Sequence, residues 1–466
     1  FLDQSLPINL PERKGINLAD YLFSLKYTGR EFSFLSETGD IEINETQNTV
    51  QNLARRGGRL SLKYKNLGLD AFNVRSEEVF GFIGGVGIGK SADDHIMGVS
   101  GEVGFFSNKL SLRTIYVTGG EEEVSYGYWR ESGAKKGKAF GFLLKTDPLD
   151  QRLTAEAEID ISEFDADTSD EFSAESDKAY KLRVGGVTGK YSYEALYEYT
   201  GPDYEVIGNQ GLQRDMEGFT INTGANFQTQ SVNLSFARIN DNVKKEELFP
   251  RVYTYQGMVD YRYNGLPILP IGINYQKSIL DSSMEPEFTF PMRTDTDTIS
   301  GTINYMKGKL NLGLQADYSF QNDRTSTGND TTATTLSFTP AYSFSEHISI
   351  TPNLSFNRSK YHFTDVRTDT YTVNLDLMGD AFSKKITYEL ASSYNKIKSN
   401  DSLTDQDSIN GEFRIAYILG ERLWRLMNPL VGIRGLYNRM EDRVWEQANE
   451  ELVLFLVLTT TMPFSL

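Results

Sequence analysis

Eight consecutive residues, Gly84-Gly85-Val86-Gly87-Ile88-Gly89-Lys90-Ser91, match G-x-x-x-x-G-K-S letter for letter. In a phosphate-binding loop this spacing lets backbone N–H groups and a following helix N-terminus hold phosphates. The residues after Ser91 do not promise a helix. They read Ala-Asp-Asp-His-Ile-Met-Gly-Val-Ser-Gly-Glu-Val-Gly-Phe-Phe, which alternates as a strand does. No apolar strand ending in a Mg²⁺-binding Asp is evident. The match is expected to be accidental, a glycine-rich loop, and no nucleotide partner is expected. A second motif, Asp165, Asp167, Ser169 and Asp170, opens with calcium-loop spacing. It places Asp170 where the turn glycine belongs and Ser176 where the bidentate Glu belongs. The expectation is a solvated acidic loop with at most a loose surface Ca²⁺ site, and no other cofactor.

Other chemistry is excluded by residue supply. There is no cysteine, so thiol nucleophiles and zinc–thiolate sites are absent. The three histidines, His95, His347 and His362, are scattered, and no Ser/His/Asp set accompanies them. No enzymatic activity is expected. With 47 basic against 64 acidic residues, the net charge of −17 argues against nucleic acid.

The elements that position these residues follow a period of two. From Gly308 the chain reads Lys-Leu-Asn-Leu-Gly-Leu-Gln-Ala-Asp-Tyr-Ser-Phe. Leu310, Leu312, Leu314, Ala316, Tyr318 and Phe320 take one face, and Asn311, Gln315, Asp317 and Ser319 the other. The strand before it puts Ile299, Ile303 and Tyr305 against Ser300, Thr302 and Asn304, with Lys307-Gly308-Lys309 as a tight turn. Short turns near Gly29, Asn66, Asn108, Pro148, Gly189, Thr229, Gly265, Gly308, Ser345, Ala381 and Leu423 recur roughly every 40 residues. The longer connections between them are polar and acidic, as at Glu121-Glu122-Glu123 and Asp165 to Asp177. Each hairpin predicts its facing pairs: Arg183 opposite Glu194, and Glu102 opposite Arg113. Hydrophobic residues are only 39% of the chain, yet aromatics are 12%, so the chain folds with its apolar residues spread thinly. No apolar run reaches the 18 or more residues of a spanning helix; the longest is Leu452 to Leu458.

Strands of ten to fourteen residues are about twice the usual length, near the roughly 9–11 that cross a bilayer when tilted. One face is continuously apolar and aromatic, as in Tyr191, Tyr193, Tyr197 and Tyr199, and in Leu336, Phe338, Tyr342 and Phe344. At this point the chain resembles Gram-negative outer-membrane β-barrels. The last segment, Leu452 to Leu466 with Phe464 third from its end, is similar to the terminal strand of such barrels. The resemblance implies one closed antiparallel up-and-down barrel over residues 1–466, in the bacterial outer membrane. Short periplasmic turns and longer acidic extracellular loops follow from it. Eleven turns and the terminal strand make 23 strands. An even count of about 24, within 20 to 26, requires residues 2–10 as a first strand, with Leu6, Ile8 and Leu10 alternating. If 1–16 are instead a periplasmic tail, another segment, Val124–Trp129 or Val79–Gly89, must be reassigned. A start at Phe1 without Met or a signal peptide is expected of a mature exported chain.

Glu102, Arg113, Lys181, Arg183, Glu194, Glu198, Asn304 and Asn311 are expected to line the lumen, on an inward face that is small and polar. About 24 strands imply a backbone diameter of roughly 45–50 Å and a lumen of roughly 30 Å. No separate plug domain is expected, and loops of at most about 20 residues are expected not to fill such a pore. Similar wide barrels hold an internal lipoprotein or sheathe a multihaem cytochrome. The reading is therefore a conduit completed by a plug, lipoprotein or cytochrome-like partner, surrounded by outer-membrane lipids and lipopolysaccharide. The alternatives are a passive diffusion or saccharide porin, and a surface adhesin or structural anchor.

Overall fold

A computed structural model describes residues 21–77, 86–89, 93–122, 124–125, 128–129, 134–209, 211–325, 328–420 and 430–459. Residues 1–16, the turn at Leu423 and Phe464 lie outside these. The described residues form strands only, and among them no helix is long and apolar enough to cross a membrane. Twenty-three strands belong to one antiparallel sheet, and two short ones make a separate ribbon.

The chain divides into two compact units. The first holds β1 (Leu22–Thr28), β2 (Phe32–Ile43), β3 (Leu53–Tyr64), β4 (Leu67–Arg75), β5 (His95–Phe105) and β6 (Leu110–Glu121). The ribbon β7 (Val124–Ser125) and β8 (Tyr128–Trp129) follows, so Val124–Trp129 is no part of the sheet. Then come β9 (Lys135–Thr146), β10 (Thr154–Asp165) and β11 (Glu175–Thr188). Four strands are shared between the units: β12 (Tyr191–Thr200), β13 (Met216–Asn226), β14 (Gln230–Asn240) and β15 (Arg251–Tyr263). The second unit continues with β16 (Ile271–Ser283), β17 (Arg293–Lys307), β18 (Leu310–Asp323), β19 (Thr331–Ser345) and β20 (Ile348–Tyr361). It ends with β21 (Val366–Ala381), β22 (Ile386–Ser399), β23 (Asp405–Ile418), β24 (Leu430–Asp442) and β25 (Gln447–Thr459). The expected last strand, Leu452–Leu466, thus begins five residues earlier, at Gln447.

Pairing follows chain order. Within the first unit β1 pairs β2, β2 pairs β3, and β6 pairs β9 past the ribbon. In the second unit β17 pairs β18 and β24 pairs β25. The turns do what their residues allow. Gly308 takes φ of 60° between Lys307 and Leu310, a left-handed conformation that glycine adopts without steric penalty. The alternation sorts each strand into two faces. On β10, Ile159 and Ile161 are 51% and 55% exposed, whereas Glu158 and Asp160 are 2% and 0% exposed. A face that displays its isoleucines and hides its carboxylates inverts the arrangement of a water-soluble sheet.

Candidate functional site

The face opposite the apolar one carries the polar side chains, and the two units treat it differently. In the first unit it is not uniformly small and polar, which corrects the sequence expectation. Ile41, Ile43, Leu53, Phe72, Val74, Ile96, Ile115, Val117 and Phe164 form a buried core there with Val50 and Ile207. Two connections fold back to cover it. In the first, residues 44–52, Thr46 and Thr49 share a 2.8 Å hydroxyl contact, and Asn52 N–H donates to Asn44 Oδ1 at 2.6 Å. These bonds close a small loop that drives Val50 into the core. The second, residues 201–212, buries Tyr204, Val206 and Ile207. Ile207 seats against Gly119 and Gly137, where an added Cβ would stand 3.1 and 3.5 Å from it.

The two connections hold each other and the sheet. Tyr204 Oη donates to the Asn48 carbonyl at 2.9 Å, and Asn209 Nδ2 to the Gln47 carbonyl at 2.9 Å. Asn48 Nδ2 donates to Asp160 Oδ2 at 3.0 Å, and Glu205 N–H to Ser162 Oγ at 3.2 Å. Burial pushes the Tyr204 hydroxyl's pKa up, with the Asp160 and Glu158 carboxylates adding to it. Burial also pushes the Glu45 carboxyl up, against the pull of the Arg113 guanidinium. Glu158, Asp160 and both connections were missed as functional parts. The signal for the carboxylates was present: Glu156, Glu158 and Asp160 alternate onto one face of β10.

The expected polar pairs are partly assembled. Arg183 Nε donates to Glu194 Oε2 at 2.6 Å, as the hairpin predicts. Glu102 does stand opposite Arg113 in register, yet the Arg113 guanidinium bonds Glu45 and Ser100. The inward connection supplies a carboxylate that hairpin geometry alone could not foresee. Lys181 lies 3.3 Å from Glu156 and donates to Gln47 Oε1 at 3.1 Å. Glu198 sits half-buried on β12, on the Glu194 face. Asn304 and Asn311 lie on the polar face of β17 and β18.

The two motifs fare differently. Of the P-loop match, only Val86 to Gly89 lie within the described residues. Gly87 takes φ of 76° against the Arg56 backbone, and Asn73 Nδ2 donates to the Gly89 carbonyl at 2.8 Å. Residues 93–94 lead directly into β5, so the helix a phosphate loop needs is replaced by a strand. In the acidic loop, Asp167 Oδ1 accepts from Ser169 N–H and Oγ, at 3.0 and 2.6 Å. Those bonds hold its carboxyl below the ordinary range. Asp165 accepts from Asp167 N–H, and Asp170 from Phe172 N–H. These carboxylates bind their own loop. Among the described residues, no group of three or more His, Cys, Asp or Glu side chains gathers to hold a metal.

In the second unit the polar face is a ladder of neutral cross-strand pairs. Thr298 meets Ser319 at 2.9 Å, and Ser337 donates to Ser355 at 3.2 Å. Asn353 donates to Thr339, Asn357 to Thr335, and Thr372 to Asn395, at 2.7, 2.8 and 3.1 Å. Glu412, between Arg414 and Arg434, adds one charged cluster. A cavity of about 260 Å³ opens among β15, β16 and β17.

No protein-family model matches the chain, and no curated protein matches it. Among solved structures, it is similar to the outer-membrane expressed OmpT of Vibrio cholerae, at 14% identity and a TM-score of 0.34, over 65% of this chain and 90% of that one. It is similar to OccK5 (OpdH) of Pseudomonas aeruginosa at 10% identity and a TM-score of 0.34, over 76% and 98%. An anion-selective porin from Comamonas acidovorans matches at 12% identity and a TM-score of 0.31, over 65% and 89%.

Proposed function

We propose that this chain is an outer-membrane β-barrel channel for polar solutes, with its long loops outside and its short turns in the periplasm. The carrying observation is the exposed apolar face. Leu314, Leu336, Leu354, Ile415 and Leu452 all stand open on it, mid-strand in the second unit. Water would oppose so large an apolar surface, while lipid accepts it. Tyrosines on that face hand their hydroxyls to carboxylates that lie toward the long-loop ends. Tyr275 donates to Asp297 at 2.5 Å, Tyr394 to Asp407 at 3.2 Å, and Tyr437 to Glu450 at 3.2 Å. Rings in an apolar band with wet, charged tips suit a membrane interface. The opposite face offers hydroxyls, amides and paired charges to a water-filled path. Connections 44–52 and 201–212 narrow that path, and no enzymatic step is part of this reading. Planar-bilayer recording of the purified chain tests it. Stable single-channel steps are expected; a folded, detergent-dependent chain that never conducts would overturn it.

A second reading keeps a separate protein inside the barrel. It is favoured by the polar face of the second unit, which no connection covers among the described residues. A closed barrel of about 24 strands would span roughly 45–50 Å, wider than two short connections fill. Mild-detergent purification from the native membrane, with mass spectrometry of co-purifying chains, decides between them. A stoichiometric companion supports the partnered conduit, and a lone chain with a small, steady conductance excludes it.

A further inference from the structure

Across the second unit, many polar side chains on the polar face pair across the strands, while others, such as Asn374 and Asn438, make no side-chain bond among the described residues. One group of the latter gathers around a hollow. Asn264, Asn274, Ser300, Thr302 and Asn304 make no side-chain hydrogen bond to the protein among the described residues, and all five line the cavity of about 260 Å³. Register explains the gathering: Asn274 faces Ser300 and Gly272 faces Thr302, so their polar groups rise in adjacent rows. Gly272 makes the floor. A Cβ there would stand 2.6 Å from Thr302 Oγ1, so any side chain would enter the cavity. The remaining charge is internally balanced, since Arg262 lies 3.2 Å from Asp260.

We infer that this cavity is a subsite for a small neutral polyhydroxylated solute, a sugar or polyol, moving along the polar face. The inference rests on the channel reading and names its solute class. Amides and hydroxyls both donate and accept, as sugar hydroxyls do. Groups with no partner in the wall are free to exchange water for solute hydroxyls at little loss. The volume holds about nine waters at roughly 30 Å³ each, or one sugar ring. An anion is not favoured, because Asp260 already answers Arg262. No aromatic ring lines the cavity to stack on a sugar, so binding is weak, on the order of 1 mM, as transit requires.

Saturation-transfer NMR with maltose on the purified full chain in detergent tests this without needing conductance, and succinate serves as the anionic comparator. Saturable maltose binding is expected, weakened at least five-fold by Gly272→Leu, which fills the cavity. The double change Ser300→Ala with Thr302→Val should weaken it similarly at nearly constant volume. Ser337→Ala with Ser355→Ala, in the paired ladder, should leave it unchanged. Heat-modifiable gel mobility confirms that each variant is folded, and either cavity variant alone suffices. No saturable maltose binding by the folded chain overturns the subsite, as does binding indifferent to the cavity variants, or tighter binding of succinate. A chain that conducts but binds no maltose sinks the subsite and leaves the channel; one that binds maltose but never conducts does the reverse.

Discussion

The two compact units use one alternation to different ends. In the first, inward-facing positions of β2 to β6 carry Ile, Val and Phe, and two connections fold back to bury them. In the second, the equivalent positions carry Ser, Thr and Asn, which pair across strands and stay wet. The strands are alike in pairing, though those of the second unit, at 13 to 16 residues, run longer than most of the first. The residue type on one face decides whether a connection collapses onto it. An apolar patch recruits a cover because burial stabilises by roughly 25 cal/mol per Å². A hydroxyl ladder gains nothing from one.

The sharpest way to break this comparison is to charge a covered position. Val117 is fully buried on the polar face of β6. Val117→Asp should destabilise by about 3–5 kcal/mol, because it leaves an uncompensated buried charge. Ser337→Asp, on the open ladder of β19, should change stability by less than about 1 kcal/mol. Equilibrium unfolding in urea with lipid vesicles measures both, and equal losses would erase the distinction between the units.

A somewhat smaller effect separates the two faces within the second unit. Leu312→Arg places a charge against lipid and should lose about 2–4 kcal/mol in the same assay. Asn311→Arg, one residue away, should be tolerated. Matching damage from both would refute the assignment of faces.

Smaller again is the tie between the two connections. Tyr204→Phe removes the Oη bond to the Asn48 carbonyl and should destabilise by about 0.5–1.5 kcal/mol. Hydrogen exchange in residues 44–52 should speed up while β17 to β19 stay protected. Uniform change across both units would show that the connections are not a local latch. Last, Lys90→Ala should leave conductance and stability unaltered. ATP binding that disappears in this variant would restore the phosphate-loop reading.

Local chemistry was legible where neighbours in sequence are neighbours in space. The period of two, the turn at Gly308, the faces of β17 and β18 and the Arg183–Glu194 pair all depend on contacts within one hairpin. The turns alone led to about 24 strands, and the described residues place 23 in the sheet, the expected first strand at residues 2–10 lying outside them. The partner of Arg113 was not legible, because Glu45 lies 68 residues away and arrives on a connection, not a strand. Nor was the cover over the first unit: the bond from Tyr204 to Asn48 joins positions 156 residues apart. Ile41, Ile43, Ile115 and Val117 overturned the expectation of a small, polar inward face, and what covers them depended on where two polar-looking connections came to rest. Alternation sorts side chains between faces, whereas only the folded sheet brings distant loops to one face and leaves another patch, around Gly272, without partners.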